Sequence, residues 1–189
     1  MRALIKELGS VIGGQPKHPF AFFGHSLGAL VAFEVTRYFM RHALPMPERL
    51  IASGCNAPRI RRTSAHLHTL DDDALIEALK KYNGTPPEIL AHRELMDLLL
   101  PTIRADFHLI ADYKYHVEPL LNIPITVLTG KLDDHVSPQR LGEWQNETTA
   151  ACRIHSFEGD HFFINSARNA VLTCLGAELA DFVFCDDWG

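Results

Sequence analysis

No two cysteines stand in a C-x-x-C pair. Cys55, Cys152, Cys174 and Cys185 are scattered through the 189 residues, which excludes a disulfide framework and reads as reduced thiols in a cytoplasmic protein. Lysine and arginine form no block, and acidic residues outnumber basic ones for a net charge of −5, so neither a nucleic acid nor a membrane surface is an expected partner. The first stretch, 1–12, sets Leu4, Ile5, Leu8, Val11 and Ile12 at helical spacing among Arg2, Lys6 and Glu7. This is an amphipathic helix, too polar for a signal peptide or a membrane span. Internal repeats and low-complexity segments are also missing, which removes solenoids and tandem arrays. What remains, with 47% hydrophobic residues, is material for one globular domain with a sizeable core.

The chain is organised around Pro19-Phe20-Ala21-Phe22-Phe23-Gly24-His25-Ser26-Leu27-Gly28-Ala29. A short apolar run ends in Gly-x-Ser-x-Gly and passes into a helical pattern, with Leu27, Leu30, Val31, Val35, Tyr38 and Phe39 on one stripe. The expected structure is strand, sharp turn, helix. A residue forced into such a turn needs neighbours without Cβ atoms, so that strand and helix can approach and the hydroxyl stands exposed. Ser26 is therefore a candidate nucleophile. The competing reading, a chance pattern in which Ser26 merely caps the helix, leaves the apolar strand before it and the amphipathic helix after it unexplained.

The first helix leads into a loop, Gly13-Gly14-Gln15-Pro16, and the helix after Ser26 is expected to end within 42–47. The run 49–54 reads as a second buried strand, and strands separated by a helix predict a parallel sheet, an α/β architecture. From 59 to 118 the pattern changes to helices. Thr69-x-x-Asp72 looks like a capping box for a helix through Tyr82, Thr85-Pro86 sets a cap before a first-turn proline, and Pro101 opens a helix with Ile103, Phe107, Ile110 and Tyr113 on one stripe. An insertion of this size exceeds what a connection needs. We read 59–118 as a helical lid over the strand ends, where open α/β sheets bind ligands, with core segments 1–58 and 119–189. Phe107 and Ile110, which share that stripe, are the expected substrate-binding residues of the lid. The sheet resumes at 123–130, Ser137-Pro138 caps a further helix, a last strand covers 153–157, and Glu158-Gly159-Asp160-His161 turns toward a closing helix at 166–184.

Ser26, then Asp133 just past a strand, then His161 just past the last strand is the chain order of α/β-hydrolase triads. All three fall at C-terminal ends of predicted parallel strands, where residues distant in sequence can converge. In this reading His161 takes the proton from Ser26 and Asp133 holds the imidazole tautomer. Each partner has competitors. His161 is one of 11 histidines, and Asp134 and Asp160 compete with Asp133, although Asp160 adjoins His161 and would bond it awkwardly. No metal site is expected. His66, His68 and Asp71-Asp72-Asp73 match no ligand signature, and acids opening a helix interact favourably with its dipole.

With these residues in place, the chain resembles a type II thioesterase, the free-standing α/β-hydrolase that accompanies polyketide and non-ribosomal peptide synthetases. The likeness runs over 20–175 and rests on five segments in order. They are Gly24-His25-Ser26-Leu27-Gly28-Ala29, Ser53-Gly54-Cys55-Asn56-Ala57-Pro58, Leu100-Pro101-Thr102-Ile103-Arg104-Ala105-Asp106-Phe107, Gly130-Lys131-Leu132-Asp133 and His161-Phe162-Phe163. The resemblance implies hydrolysis of acyl groups from the phosphopantetheine arm of acyl or peptidyl carrier proteins, in antibiotic biosynthesis. It implies no cofactor beyond the phosphopantetheine of the substrate.

Members of that family begin with strands and an aromatic-Pro-x-Ala-Gly-Gly-like loop that supplies an oxyanion-hole amide. On the resemblance this chain is N-terminally truncated, with the Leu27 amide as its remaining oxyanion donor. The nucleophile strand would then be an edge through which the chain self-associates. Two alternatives stay open: release of medium-chain fatty acids from a fatty-acid carrier protein, and an inactive truncated remnant or interaction module.

Overall fold

The computed structural model describes residues 1–14, 18–60, 63–82 and 84–183. Gln15 and Pro16 of the expected loop, Phe184 of the closing helix and Cys185 lie outside the described residues. In chain order the elements are α1 (Arg2–Gly13), β1 (Ala21–His25), α2 (Leu27–Arg41), β2 (Arg49–Ser53), α3 (Asp72–Tyr82), α4 (Pro87–Ala91), α5 (Arg93–Ala111), β3 (Ile125–Gly130), β4 (Cys152–Phe157), α6 (Phe163–Ser166) and α7 (Arg168–Val183), with 3₁₀ helices at Thr63–Thr69 and Pro138–Glu147. The chain divides into two compact units, Met1–Pro58 with Val117–Gly189, and Arg59–His116.

The larger unit is built on a four-stranded sheet in the order β1-β2-β3-β4, parallel throughout. The inner strands β2 and β3 are buried at every position, as strands covered on both faces must be. Register pairs Phe22 with Leu50 and Leu50 with Ile125, and pairs His25 with Ser53 and Ser53 with Leu128, so alternate residues separate onto two faces. On one face Ile5 of α1 packs with Val35 and Phe39 of α2, and Phe20 and Phe22 stack edge to face with Phe39. On the other, Ile51, Leu128 and Phe157 pack with Phe163 and Val171 of α6 and α7. That face also buries a charge. Arg49 Nη1 donates to Thr126 Oγ1 at 3.0 Å and pairs with Glu178 Oε2 at 2.8 Å, a desolvated pair that needs these added hydrogen bonds to hold its cost down. Among the described residues β1 pairs only with β2, and Phe23 at this edge is 47% exposed. No helix of the described residues is long and apolar enough to cross a membrane.

The smaller unit holds the expected helices with shifted boundaries. Asp71, not Thr69, caps α3, its Oδ1 accepting from the Ala74 amide at 2.8 Å, while the Thr69 hydroxyl donates back to the His66 carbonyl inside the 3₁₀ turn. Pro86 is the cap residue of α4 and Pro87 its first-turn proline. The helix expected to open at Pro101 already begins at Arg93, capped by His92, whose ring accepts from the Leu95 amide, and Pro101 lies inside it. Good helix formers, Glu94 to Leu100, outweigh one missing amide here. The segment after Ser137-Pro138 is a 3₁₀ helix rather than an α-helix.

The stripe Ile103, Phe107 and Ile110, expected to carry substrate-binding residues, packs against this unit's own core. Phe107 is buried with Leu67, Leu75, Leu79, Leu90, Met96 and Leu100, its ring 5.6 Å from that of Tyr82, and Ile110 is half-buried against the same cluster. A helical period marks a buried side without saying what it is buried against. Arg104 secures the arrangement by donating to the carbonyls of His68 and Leu70 and pairing with Asp72 at 2.6 Å.

Candidate active site

Ser26 sits between β1 and α2 with φ 54° and ψ −118°, a region that residues other than glycine occupy only when the surroundings hold them there. The Ser26 amide donates to the Ser53 carbonyl at 2.8 Å, tying the turn to the end of β2. The two flanking glycines are not equivalent. A Cβ on Gly24 would stand 2.1 Å from the Gly28 carbonyl oxygen, whereas a Cβ on Gly28 would meet nothing within 4 Å. The close approach of strand and helix thus depends on Gly24. The Leu27 N–H is the first of α2 and has no acceptor within the helix, as for every first-turn amide.

The other two expected residues meet directly. The His161 Nδ1 donates to Asp133 Oδ2 at 2.9 Å, and both residues are buried, at 4% and 5% exposure. The second carboxylate oxygen, Oδ1, accepts from the His135 amide at 2.9 Å. Asp134 is exposed, and Asp160 turns its carboxylate to the Phe162 amide at 2.9 Å. Loop geometry therefore selects Asp133. The loops of Asp133 and His161 are bound to each other, the Lys131 amide donating to the Phe157 carbonyl and the Leu132 amide to Gly159, both at 2.9 Å. A Cβ on Gly130 would lie 2.3 Å from the Asp160 carbonyl oxygen, so this approach also requires a glycine.

The His161 ring, with Nδ1 engaged by Asp133, lies close to the residue that follows β2. A Cβ on Gly54, whose φ is +58°, would lie 3.3 Å from His161 Cε1 and 2.7 Å from His25 Cε1. Ser53, just before Gly54, holds the Ser26 amide. The strand ends thus bring Ser26, Asp133 and His161 to one end of the sheet.

Three further residues, to which sequence reading gave no role in the site, stand beside them or hold their loops. The rings of His25 and His135 each lie 5.0 Å from that of His161, and Asn56 bonds the backbone on both sides of Val136. Their signal was position, since each follows or ends a strand of the sheet. His25 shares the face of Ser53 and its Nδ1 is 2.9 Å from Ser53 Oγ. Burial, reinforced by His161 and partly opposed by Asp133, lowers its pKa from 6.5 to about 4.

The unfolded chain therefore takes up a proton at His25 below pH 6.5 that the folded chain refuses until about pH 4. The contribution of neutral His25 to stability is complete above pH 6.5 and is lost as pH falls toward 4. His135, lowered first by burial, acts in the same direction. Urea midpoints measured across this window should fall with pH, and fall less in His25→Gln. An equal slope in both proteins would contradict the assignment.

The thioesterase domain model matches residues 2–179. The chain belongs to the thioesterase family. This thioesterase domain is 33% identical over 186 residues to a protein named linear gramicidin dehydrogenase LgrE from Brevibacillus parabrevis, covering 97% of this chain and 71% of that one. It is 36% identical over 161 residues to the gramicidin S biosynthesis protein GrsT from Aneurinibacillus migulanus, covering 85% of this chain and 63% of that one. Among solved structures, the type II thioesterase BorB from the borrelidin biosynthetic cluster superposes with a TM-score of 0.85 at 33% identity, over 94% of this chain and 72% of BorB. The thioesterase domain thus spans about two thirds of the length of these relatives.

Proposed function

We propose that this domain is a serine thioesterase that hydrolyses acyl groups from the phosphopantetheine thiol of carrier proteins, clearing misloaded carriers of a non-ribosomal peptide or polyketide synthetase. The observation that carries the reading is the buried 2.9 Å bond between His161 Nδ1 and Asp133 at the same sheet end as the strained Ser26. That bond leaves Nε2 of His161 as the basic nitrogen. In the proposed reaction Ser26 Oγ attacks the thioester carbonyl as His161 Nε2 takes its proton, and the Leu27 N–H faces the developing oxyanion. Collapse expels the thiol, protonated by His161, and leaves an acyl-serine that water hydrolyses by the same route. The chemistry calls for no cofactor of the protein's own, because phosphopantetheine arrives with the substrate. The similarity to BorB, a type II thioesterase from the borrelidin biosynthetic cluster, supports a synthetase carrier as partner.

The test is release of free acid from purified carriers, followed by mass spectrometry of the phosphopantetheine arm. Acyl chains on a synthetase carrier should be cleared faster than the same chains on a fatty-acid carrier. Clearance of the fatty-acid carrier alone would overturn the proposed partner.

A further inference from the structure

Asn56 lies in the segment after β2, and its side-chain amide holds the loop that carries Asp133. Its Nδ2 donates to the His135 carbonyl at 3.1 Å and its Oδ1 accepts from the Ser137 amide at 3.0 Å. The two bonds bracket Val136, itself 5% exposed. His135 links this grip to the reacting groups. Its amide donates to Asp133 Oδ1 at 2.9 Å, and Asp133 Oδ2 accepts from His161 Nδ1. A continuous series of hydrogen bonds therefore runs from Asn56 through the His135 backbone and the Asp133 carboxylate to the imidazole. The backbone beside Asn56 is itself anchored, because Trp144 Nε1, fully buried, donates to the carbonyl of its neighbour Cys55 at 3.0 Å.

We propose that Asn56 is a positioning residue for the Asp133–His161 pair, fixing the direction of the carboxylate through the His135 backbone. The inference rests on the triad reading above. An amide is the group the loop requires, since it offers one donor and one acceptor in a fixed plane. Aspartate keeps nearly the same shape and can still accept from Ser137, but sets a second anion against the His135 carbonyl where a donor is needed. Alanine loses both bonds. Either change frees the His135 amide to drift, and a misplacement of about 1 Å in a reacting group can cost roughly 100-fold in rate.

The experiment compares Asn56→Ala, Asn56→Asp and Asp133→Asn on an acyl-N-acetylcysteamine thioester, alongside the low-field proton NMR signal of His161 Nδ1–H. That signal is identified by its disappearance in Asp133→Asn. Both Asn56 variants should lower kcat by roughly 10- to 100-fold, with KM within about twofold, and should shift or broaden the signal. If Asn56→Ala does not fold, the nearly isosteric Asn56→Asp carries the test. An unchanged kcat and signal in a folded Asn56 variant, with Asp133→Asn inactive, overturns this inference alone. Full turnover by Asp133→Asn overturns the triad reading and this inference with it.

Discussion

Ser26→Ala should abolish hydrolysis of acyl thioesters, with turnover falling roughly 10⁶-fold, the size of loss that removal of a serine nucleophile produces in a well-studied serine protease. The reason is local. The turn between β1 and α2 fixes Ser26 at φ 54° through the Gly24–Gly28 approach and the bond to the Ser53 carbonyl, and none of these depends on the hydroxyl. Alanine at this position leaves the backbone as it is, so the denaturation midpoint should stay near that of the parent while chemistry disappears. A fluorophosphonate should label the parent at Ser26 and leave the variant unlabelled. Labelling at another residue, or turnover surviving the substitution, would remove Ser26 from the mechanism.

Asp133→Asn is the second large effect, expected at roughly 10⁴-fold in kcat by analogy with the same change in a well-studied serine protease triad. The bond pattern explains why shape is not enough. The His135 amide requires an acceptor at the Oδ1 position, so the asparagine carbonyl must sit there and its NH₂ must face His161 Nδ1. Two donors cannot share that bond, and the imidazole moves its proton to Nε2, where the base is needed. Asp134→Asn should do little, because that carboxylate is exposed. Equal losses in the two variants, or a larger loss at Asp134, would show that the loop adopts another arrangement in the working protein. Circular dichroism and a melting curve on each variant separate misfolding from a tautomer effect.

The nucleophile turn was legible from sequence because its determinants are local. Gly24, Ser26 and the apolar residues on either side specify strand, turn and helix within a dozen positions, and the structure places β1 and α2 accordingly. The inner strands were legible for a related reason: β2 and β3 are buried throughout, and full burial writes a largely apolar run, here around Leu50 to Ala52 and Val127 to Leu128. Local rules failed where neighbours outvoted a single residue, as at Pro101 inside α5 or Thr69 beside the true cap Asp71.

The sequence by itself determined the fold class, the serine turn and the order of Ser26, Asp133 and His161 at successive strand ends. Only the tertiary structure decided which carboxylate faces His161, what Asn56 holds and what Phe107 packs against. Asp133 and His161 are 28 residues apart and Asn56 reaches across 79 and 81 residues to its partners, and no period in the chain records such a pairing. Asp133 and Asp134 are chemically alike and adjacent. What separates them is the direction in which a folded loop, pinned by the His135 amide and by the backbone of the His161 turn, presents each side chain. Phe107 shows the same limit: its helical spacing identifies a buried face, but its neighbours Leu67, Leu75 and Tyr82 come from other elements whose packing only the fold brings together.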